Sequence, residues 1–277
     1  MTTLLTNANC LTWDESGSDF VLHQGHLLLE ESGVTLLQAG EPLPAADNLL
    51  DLRQRLVTSP LINCHHHFYS LPARGLVPAG PLSSFSDILE QLWWKLDSTL
   101  TLEAIRLAAR QSIRESIRQG VLTVFDHHSS PSVTTGALST IGTELDRFGL
   151  RGVLCHEVSD RNGEVVRNQQ LAENLAFISD HLTHPSVRGM MGLHASFTLA
   201  DTTLAKVAGA AIHIHLAEDL LDDQQSRELY GRSACQRLAE YDLLQRSSLL
   251  AHGNHLSGAA LALLADSQSW LVPNPRS

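Results

Sequence analysis

The residues of this chain that could do chemistry are histidines at the ends of two short apolar runs. The first run, Leu61–His67, ends in three consecutive histidines, and the second, Ile212–Glu218, holds His213 and His215. Side chains on a strand point alternately to opposite faces, so histidines two residues apart share a face. A His-x-His pair on an apolar strand is typical of half a metal site, because neutral imidazoles bind Zn²⁺ or Fe²⁺.

The first pair, His65 and His67, has two other interpretations. Two buried imidazoles could form a hydrogen-bonded polar pair without a metal, although two on one face need special partners. The four histidines of both pairs could also close a tetrahedral structural site with no open position. The open metal site is favoured because the closed one gives Glu218 no role. His66 is expected to face away and to be structural.

Four further residues could act on a substrate beside the metal. Glu218 follows His215 by three residues, where a carboxylate can move protons to and from water. The alternative is that Glu218 has no chemical role and is an acidic side chain in the first turn of a helix, where the helix dipole favours it. His252 ends the next apolar strand and could polarise a substrate or stabilise an oxyanion. His194 and Arg74 are candidates for the wall of the substrate pocket.

Composition and charge exclude several classes of protein. The 277 residues are 43% hydrophobic and 18% charged, which is typical of a globular protein. The net charge of −11 argues against nucleic acid or an anionic membrane as a partner. The four cysteines have no Cys-x-x-Cys spacing, and the N-terminus lacks a signal-peptide pattern. We expect a cytoplasmic protein that acts on a small molecule. A homodimer is one possible oligomeric state.

The pattern along the chain predicts two domains. Residues 1–58 contain short extended runs separated by Gly and Pro, which indicate a small β domain. In residues 59–277, extended apolar runs alternate with helical stretches such as Leu102–Arg118, Val166–His181, Gln224–Tyr241 and Ser257–Ala265. The predicted strands are Leu61–His65, Val121–Asp126, Leu150–His156, Val187–His194, Ala210–His215, Ser248–His252 and Ser269–Val272.

Strands that alternate with helices predict parallel βαβ units. Polar residues at so many strand ends favour an α/β fold of the (β/α)₈ TIM-like type, in which the site lies at the C-terminal ends of the strands. Only seven strands are predicted, so the barrel is expected to be incomplete at its C-terminus. The crossover between His194 and Ile212 is short, since only Thr202–Ala208 can be helical.

These motifs resemble the amidohydrolase superfamily, and more closely its aminohydrolase and chlorohydrolase branch, which includes guanine deaminases. The likeness is greatest to the SsnA-type aminohydrolases and runs through essentially the whole chain. The segments that carry it are Asn63–Ser70, Ala73–Gly75, Phe125–Pro131, His194–Leu199 and His213–Asp219.

The resemblance implies a role for each chemistry-bearing residue. His65 and His67 would supply two metal ligands and His215 a third. Glu218 would be the proton shuttle, and His252 would contact the substrate and the attacking water. The implied function is a metal-dependent aminohydrolase that deaminates a purine-like or pyrimidine-like heterocycle, with one divalent ion, Zn or Fe.

Two alternatives to that function stay open. Family members carry a further aspartate ligand after the eighth strand, which this chain does not reach, so the chain resembles a C-terminally truncated member. It could therefore be a non-catalytic remnant of the same fold. A binuclear cyclic-amide hydrolase is disfavoured, because such relatives bridge two metals with a lysine, and neither Lys95 nor Lys206 lies near a predicted strand end.

Overall fold

The computed structural model describes residues 1–14, 16–78 and 80–275. Its contacts divide the chain into two compact units, one of Met1–Leu61 and one that begins at Ile62. None of the helices in these described ranges is long and apolar enough to cross a membrane.

The first unit is a five-stranded sheet. The order is β3-β2-β1-β4, and β5 also pairs with β1. β1 pairs antiparallel with β2 and parallel with β4 and β5, and β2 and β3 form a hairpin. The small core contains Ala8, Cys10 and Leu27. The strands are β1 (Thr3–Trp13), β2 (Phe20–Glu30), β3 (Gly33–Gln38), β4 (Asn48–Asp51) and β5 (Leu56–Thr58).

The second unit is a nearly closed barrel of seven main strands. Their order is β13-β12-β11-β10-β8-β7-β6, with the short β9 paired to β8. The pairings from β7 to β13 are parallel. The strands are β6 (Leu61–His66), β7 (Val121–His128), β8 (Arg151–Val158), β9 (Val187–Gly189), β10 (Met191–Ala195), β11 (Ile212–Leu216), β12 (Leu249–His252) and β13 (Trp270–Val272).

Helices connect these strands. Short 3₁₀ turns follow β6 and β10, at Phe68–Ala73 and Ser196–Thr198, and a π-helical turn, Leu89–Trp93, joins the first two α-helices. The α-helices are α1 (Phe85–Ile88), α2 (Trp94–Asp97), α3 (Leu102–Arg118), α4 (Ala137–Phe148), α5 (Gly163–Asp180), α6 (Asp201–Lys206), α7 (Leu220–Tyr230), α8 (Ala234–Glu240) and α9 (Gly258–Ser267).

Helix α3 shows how the sequence forms a helix and packs it against its neighbours. The Thr101 side chain accepts a hydrogen bond from Ala104 N at 3.2 Å and caps the first turn. Ile105, Ala109 and Ile113 recur every four residues and are buried on one face. They pack with α4 and β8 in one apolar cluster, and a second cluster joins β10, β11 and β12 to α8 and α9. Burial of each large apolar side chain contributes about 1.5–3 kcal/mol.

The structure confirms the predicted α/β class and the parallel barrel, and corrects several elements. The predicted strand Val187–His194 is two strands, β9 and β10, which pair differently. The predicted helix Gln224–Tyr241 is two helices, because Gly231 ends α7 in the left-handed conformation with φ of 70°. The long strand β1 was not predicted. The crossover between β10 and β11 is short, as predicted, and its helix α6 has six residues.

Candidate active site

A cavity of about 1220 Å³ lies where the barrel strands end. Since the strands run parallel, their C-terminal ends meet at one end of the barrel. The walls come from the second unit alone. The predicted site residues that line the cavity are His65, His67, His194, His215, Glu218 and His252.

Two of these histidines are held so that their free nitrogens face each other. His67 Nδ1 lies 2.6 Å from the carbonyl oxygen of His127, and His215 Nδ1 lies 3.0 Å from that of His194. A carbonyl only accepts, so each Nδ1 carries the proton and each Nε2 keeps a lone pair. The two Nε2 atoms are 3.1 Å apart. Neither can donate to the other, so the pair is arranged for a cation.

His65 joins the same cluster from β6. Its Nδ1 lies 2.8 Å from His213 Nε2, so His213 orients the ring. Its Nε2 is buried and has no hydrogen-bond partner among the residues that the structure describes. Within the same described part, His65 groups with His215 and His252 as a set that could hold a metal, and His213 joins no such set. The closed four-histidine site is therefore not formed.

The protonation of the three histidines suits metal binding. Burial, strengthened by neighbouring histidines, lowers the pKa of His65 and of His215 well below 6.5. Burial also lowers the pKa of His67. Neutral imidazoles hold the lone pairs that a divalent cation requires. The donor set therefore fits a divalent ion of the kind that nitrogen ligands prefer.

Glu218 and His252 lie beside these nitrogens on adjacent strand ends. His252 Nε2 is 3.5 Å from Glu218 Oε2. The Asn274 amide lies 3.4 Å from His252 Nδ1 and donates to it, which leaves the proton of His252 on Nε2. Burial lowers the pKa of His252 to about 4, so the ring is neutral and presents one N–H.

The backbone is strained at the same place. Ala217 and His252 have φ angles of 50° and 78°, in the left-handed region that non-glycine residues rarely adopt. Such conformations persist where the surrounding structure holds them, and they cluster at functional sites. The turn at Ala217 carries the chain from the end of β11 to Glu218, which lines the cavity.

The remaining predicted residues are placed apart from one another. His194 lines the cavity and donates from Nδ1 to Thr198 Oγ1 at 2.8 Å. Arg74 lines a neighbouring, smaller pocket together with His66 and Ser70. His66 also borders the large cavity, and its Nδ1 lies 3.7 Å from Asp126 Oδ1.

The sequence analysis did not predict the hydrogen-bonded group around Asp97, which lines one wall of the cavity. Asp97 is buried and accepts a hydrogen bond from Ser129 Oγ at 2.8 Å and an ion-paired hydrogen bond from Arg161. The Arg161 guanidinium lies over the Trp94 ring, 5.2 Å from its centre. These residues come from helix α2 and from the segments after β7 and β8, so no spacing in the sequence indicates the pairing.

Glu157 also lines the cavity, and the sequence prediction missed it. The predicted strand ended at His156, whereas β8 continues to Val158 and carries Glu157 to the barrel mouth. The rule that strand ends hold the site residues would have found it if the strand had been extended by two residues.

Comparisons with known proteins agree with this architecture. The sequence profile of the amidohydrolase family matches residues 56–274. The chain is 27% identical over 287 residues to a 5-methylthioadenosine/S-adenosylhomocysteine deaminase of Caldanaerobacter subterraneus subsp. tengcongensis, a match that covers 100% of this chain and 63% of that protein. The chain therefore spans just under two thirds of the length of this relative.

Solved structures share the fold at low sequence identity. A zinc-bound adenosine deaminase from Xanthomonas campestris has a TM-score of 0.85 and 17% identity, over 99% of this chain and 62% of its own. A guanine deaminase from C. acetobutylicum with bound guanine has a TM-score of 0.84 and 13% identity, over 99% and 68% of the two chains.

The parallel barrel and its mouth lined with histidines form a candidate metal site at the C-terminal ends of the strands. The profile match covers most of the chain, and this chain belongs to the amidohydrolase family.

Proposed function

We propose that this chain is the catalytic barrel of a metal-dependent hydrolase that acts on a carbon–nitrogen bond of a nitrogen heterocycle. The observation that carries the proposal is the pair of Nε2 lone pairs on His67 and His215, 3.1 Å apart and beside Glu218 and His252. Packing alone does not explain two buried lone pairs that face each other.

His65, His67 and His215 would hold one divalent ion, Zn²⁺ or Fe²⁺. The bound ion would supply Lewis-acid chemistry, which lowers the pKa of a water molecule towards 7. The backbone carbonyls of His127 and His194 fix the rings of His67 and His215, and His213 fixes His65. Such anchoring of the far nitrogen orients a metal-binding imidazole and raises its basicity.

Glu218 would act as the proton carrier. Its carboxylate lines the cavity at the end of β11, close enough to His252 to share one attacking water molecule. It would take a proton from the water and give it to the departing amino nitrogen, so that the carboxylate is regenerated and ammonia leaves. His252 would direct its Nε2–H at the oxygen that adds to the ring carbon.

The substrate class follows from the cavity and from the relatives. The large cavity has aromatic residues such as Trp93 and Trp94 beside polar groups, which suits a flat heterocycle. The named relatives are a methylthioadenosine deaminase and deaminases of adenosine and guanine. His194 would contact the ring, whereas Arg74 faces a neighbouring pocket and would act only on a large substituent.

Ammonia release tests the proposal. Protein loaded with Zn²⁺ or Fe²⁺ is incubated with adenosine, 5′-methylthioadenosine, guanine and cytosine, and ammonia is measured. We expect release from at least one of them, and loss of that release on chelation. A protein that binds the metal but releases no ammonia from any of the four would contradict the proposal and favour a non-catalytic remnant.

A further inference from the structure

Asp126 is a buried acidic residue behind the histidine cluster, and the proposed proton transfer does not use it. It lies near the end of β7, its side chain is 0% exposed, and it is not among the residues that line the cavity. A buried carboxyl group is costly unless its polar atoms find partners. The partners of Asp126 therefore indicate what the residue does.

The Asp126 side chain holds one main-chain N–H group. Its Oδ1 accepts a hydrogen bond from Phe68 N at 2.6 Å. A hydrogen bond from a backbone N–H to a carboxylate is charge-assisted and about twice as strong as one between neutral groups. Phe68 directly follows the candidate ligand His67, so this bond fixes the peptide group between the two residues.

A pairing with His66 does not account for the buried carboxylate. His66 Nδ1 lies 3.7 Å from Asp126 Oδ1, which is longer than a hydrogen bond, and it has no hydrogen-bond partner within the described ranges. Asp126 Oδ2 is also buried without a partner in the same part of the chain. A carboxylate placed only for stability would be expected to pair both of its oxygens.

The next residue of β7 holds the side chain of His67. The carbonyl oxygen of His127 accepts from His67 Nδ1 at 2.6 Å. Because side chains alternate along a strand, Asp126 points out of the barrel, whereas the His127 ring lies inside it, 4.6 Å from the His215 ring. Two consecutive residues of β7 therefore hold His67 at two points, its following peptide group and its ring.

The main-chain contact also replaces a missing helix cap. His67 is the N-cap residue of the 3₁₀ turn Phe68–Ala73, but its own side chain makes no capping hydrogen bond. The first N–H groups of such a turn need an acceptor from elsewhere, and Asp126 supplies one from β7. Without this acceptor the chain could turn at His67, whose Nε2 lies 3.1 Å from His215 Nε2.

We propose that Asp126 is a positioning residue of the metal site, which acts through the Phe68 N–H to set the direction of the His67 lone pair. This assignment rests on the proposed function only for the binding of a divalent ion and not for the hydrolysis. Loss of a partner that orients a metal-binding imidazole typically weakens metal binding by about 10–100-fold.

Zinc affinity tests the assignment without turnover. Dissociation constants are measured by competition with a coloured chelator. We expect Asp126→Ala to weaken zinc binding by about 10–100-fold, because no acceptor remains for Phe68 N. Asp126→Asn keeps an oxygen that can accept this hydrogen bond, so its dissociation constant should stay within about threefold of wild type.

A cobalt spectrum reports the arrangement of the ligands. Co²⁺ is loaded in place of zinc, and its visible absorption depends on the geometry of the donor atoms. We expect altered band positions and intensities in Asp126→Ala and the wild-type spectrum in Asp126→Asn. A role in stability alone would leave the spectrum of the folded alanine variant unchanged.

Glu173→Ala is the matched control. The buried Glu173 carboxylate accepts from Gly136 N and Leu138 N, both at 3.0 Å, and Glu173 does not line the cavity. Its replacement removes a similar main-chain anchor at the start of α4. Urea denaturation should show lower stability in both alanine variants, whereas only Asp126→Ala should lose zinc affinity.

Three results would overturn the assignment. The first is wild-type zinc affinity and a wild-type cobalt spectrum in Asp126→Ala, and the second is an equal loss of affinity in Glu173→Ala. If Asp126→Ala does not fold, Asp126→Leu replaces it, because leucine fills the space without an acceptor. The third is that neither variant folds, which would show that the carboxylate serves the fold.

The outcomes also separate this assignment from the proposed reaction. Wild-type protein that binds no zinc contradicts the proposed metal site, and the assignment fails with it. Zinc binding that does not depend on Asp126 overturns the assignment alone. Zinc binding that depends on Asp126 in a protein that releases no ammonia supports the assignment and contradicts only the hydrolytic function.

Discussion

His67 and His215 each donate one ring N–H to a backbone carbonyl oxygen, and this fixes which nitrogen faces the cavity. Their spacing on apolar strands predicted both residues as members of His-x-His pairs, and the family resemblance implied that His67 and His215 are ligands. The sequence could not predict the anchors, because His127 and His194 lie on other strands and act through their main chains. The tautomers follow only from the folded arrangement.

Glu218 is the residue whose replacement most directly separates chemistry from metal binding. We expect Glu218→Gln to lower kcat for ammonia release by about 10²–10⁴-fold, because an amide cannot carry the proton. Zinc content and the melting temperature should stay at wild-type values. Steady-state kinetics and metal analysis check both parts.

The control for that replacement is Glu228→Gln on the exposed side of α7. It removes the same charge from the same helix region, and its kcat should equal that of wild type. An equal loss in both variants would show that charge, not proton transfer, is responsible.

At the scale of elements, Arg237 ties helix α8 to the segment after β10. Its guanidinium is fully buried and donates to Ser196 O at 2.6 Å, to Leu199 O at 2.7 Å and to Asp201 Oδ1 at 2.8 Å. It also lies 3.5 Å from the centre of the Tyr230 ring. This network explains how the six-residue helix α6 can complete a crossover that is short by the usual standard.

We therefore expect Arg237→Met to lower the free energy of unfolding by about 3–5 kcal/mol, since it leaves buried acceptors unpaired. Urea denaturation followed by circular dichroism measures the change. Arg227→Met removes an exposed pair with Asp223 on α7 and should cost less than about 1 kcal/mol. Comparable losses in the two variants would refute the role of the network.

Asp222 links α7 to the end of β11, where its Oδ2 accepts from Ala217 N at 2.9 Å. Burial raises the pKa of Asp222 to about 6, although the hydrogen bonds from Ala217 N and Phe197 N lower it. The folded-state pKa thus exceeds the unfolded-state value of 3.8. This contribution to stability is fully present below pH 3.8 and is lost as the pH rises through 6.

Asp222→Asn removes this titration and keeps an oxygen that can accept from Ala217 N. Relative to wild type, the variant should gain about 2.4 kcal/mol of unfolding free energy between pH 4 and pH 8. Urea denaturation at the two pH values measures the difference. A stability difference that is the same at both pH values would contradict the raised pKa.

Across the whole molecule, the sequence analysis predicted those features of the fold that follow from local periodicity. The alternation of strands and helices predicted the parallel barrel, and the histidines at strand ends predicted the histidine cluster at its mouth. Glu157 was missed because the predicted strand stopped two residues early. The contact of Asp97 in α2 with Arg161 depends on segments that only the folded barrel brings together, so no local pattern indicated it.

The extent of the chain also matters at this scale. It spans about 63% of the first relative described above. Three histidines are still a sufficient donor set for zinc, which commonly keeps one open position at catalytic sites. Metal binding by this chain can therefore be tested directly.

Metal content after dialysis tests most directly whether the histidine cluster binds a metal ion. Purified protein is loaded with Zn²⁺, dialysed and analysed by mass spectrometry, alongside His215→Ala and a control, His184→Ala, at a histidine that pairs with Asp146. We expect one zinc ion per chain in wild type and in His184→Ala, and almost none in His215→Ala. Zinc-free wild-type protein, or equal zinc in all three proteins, would contradict it.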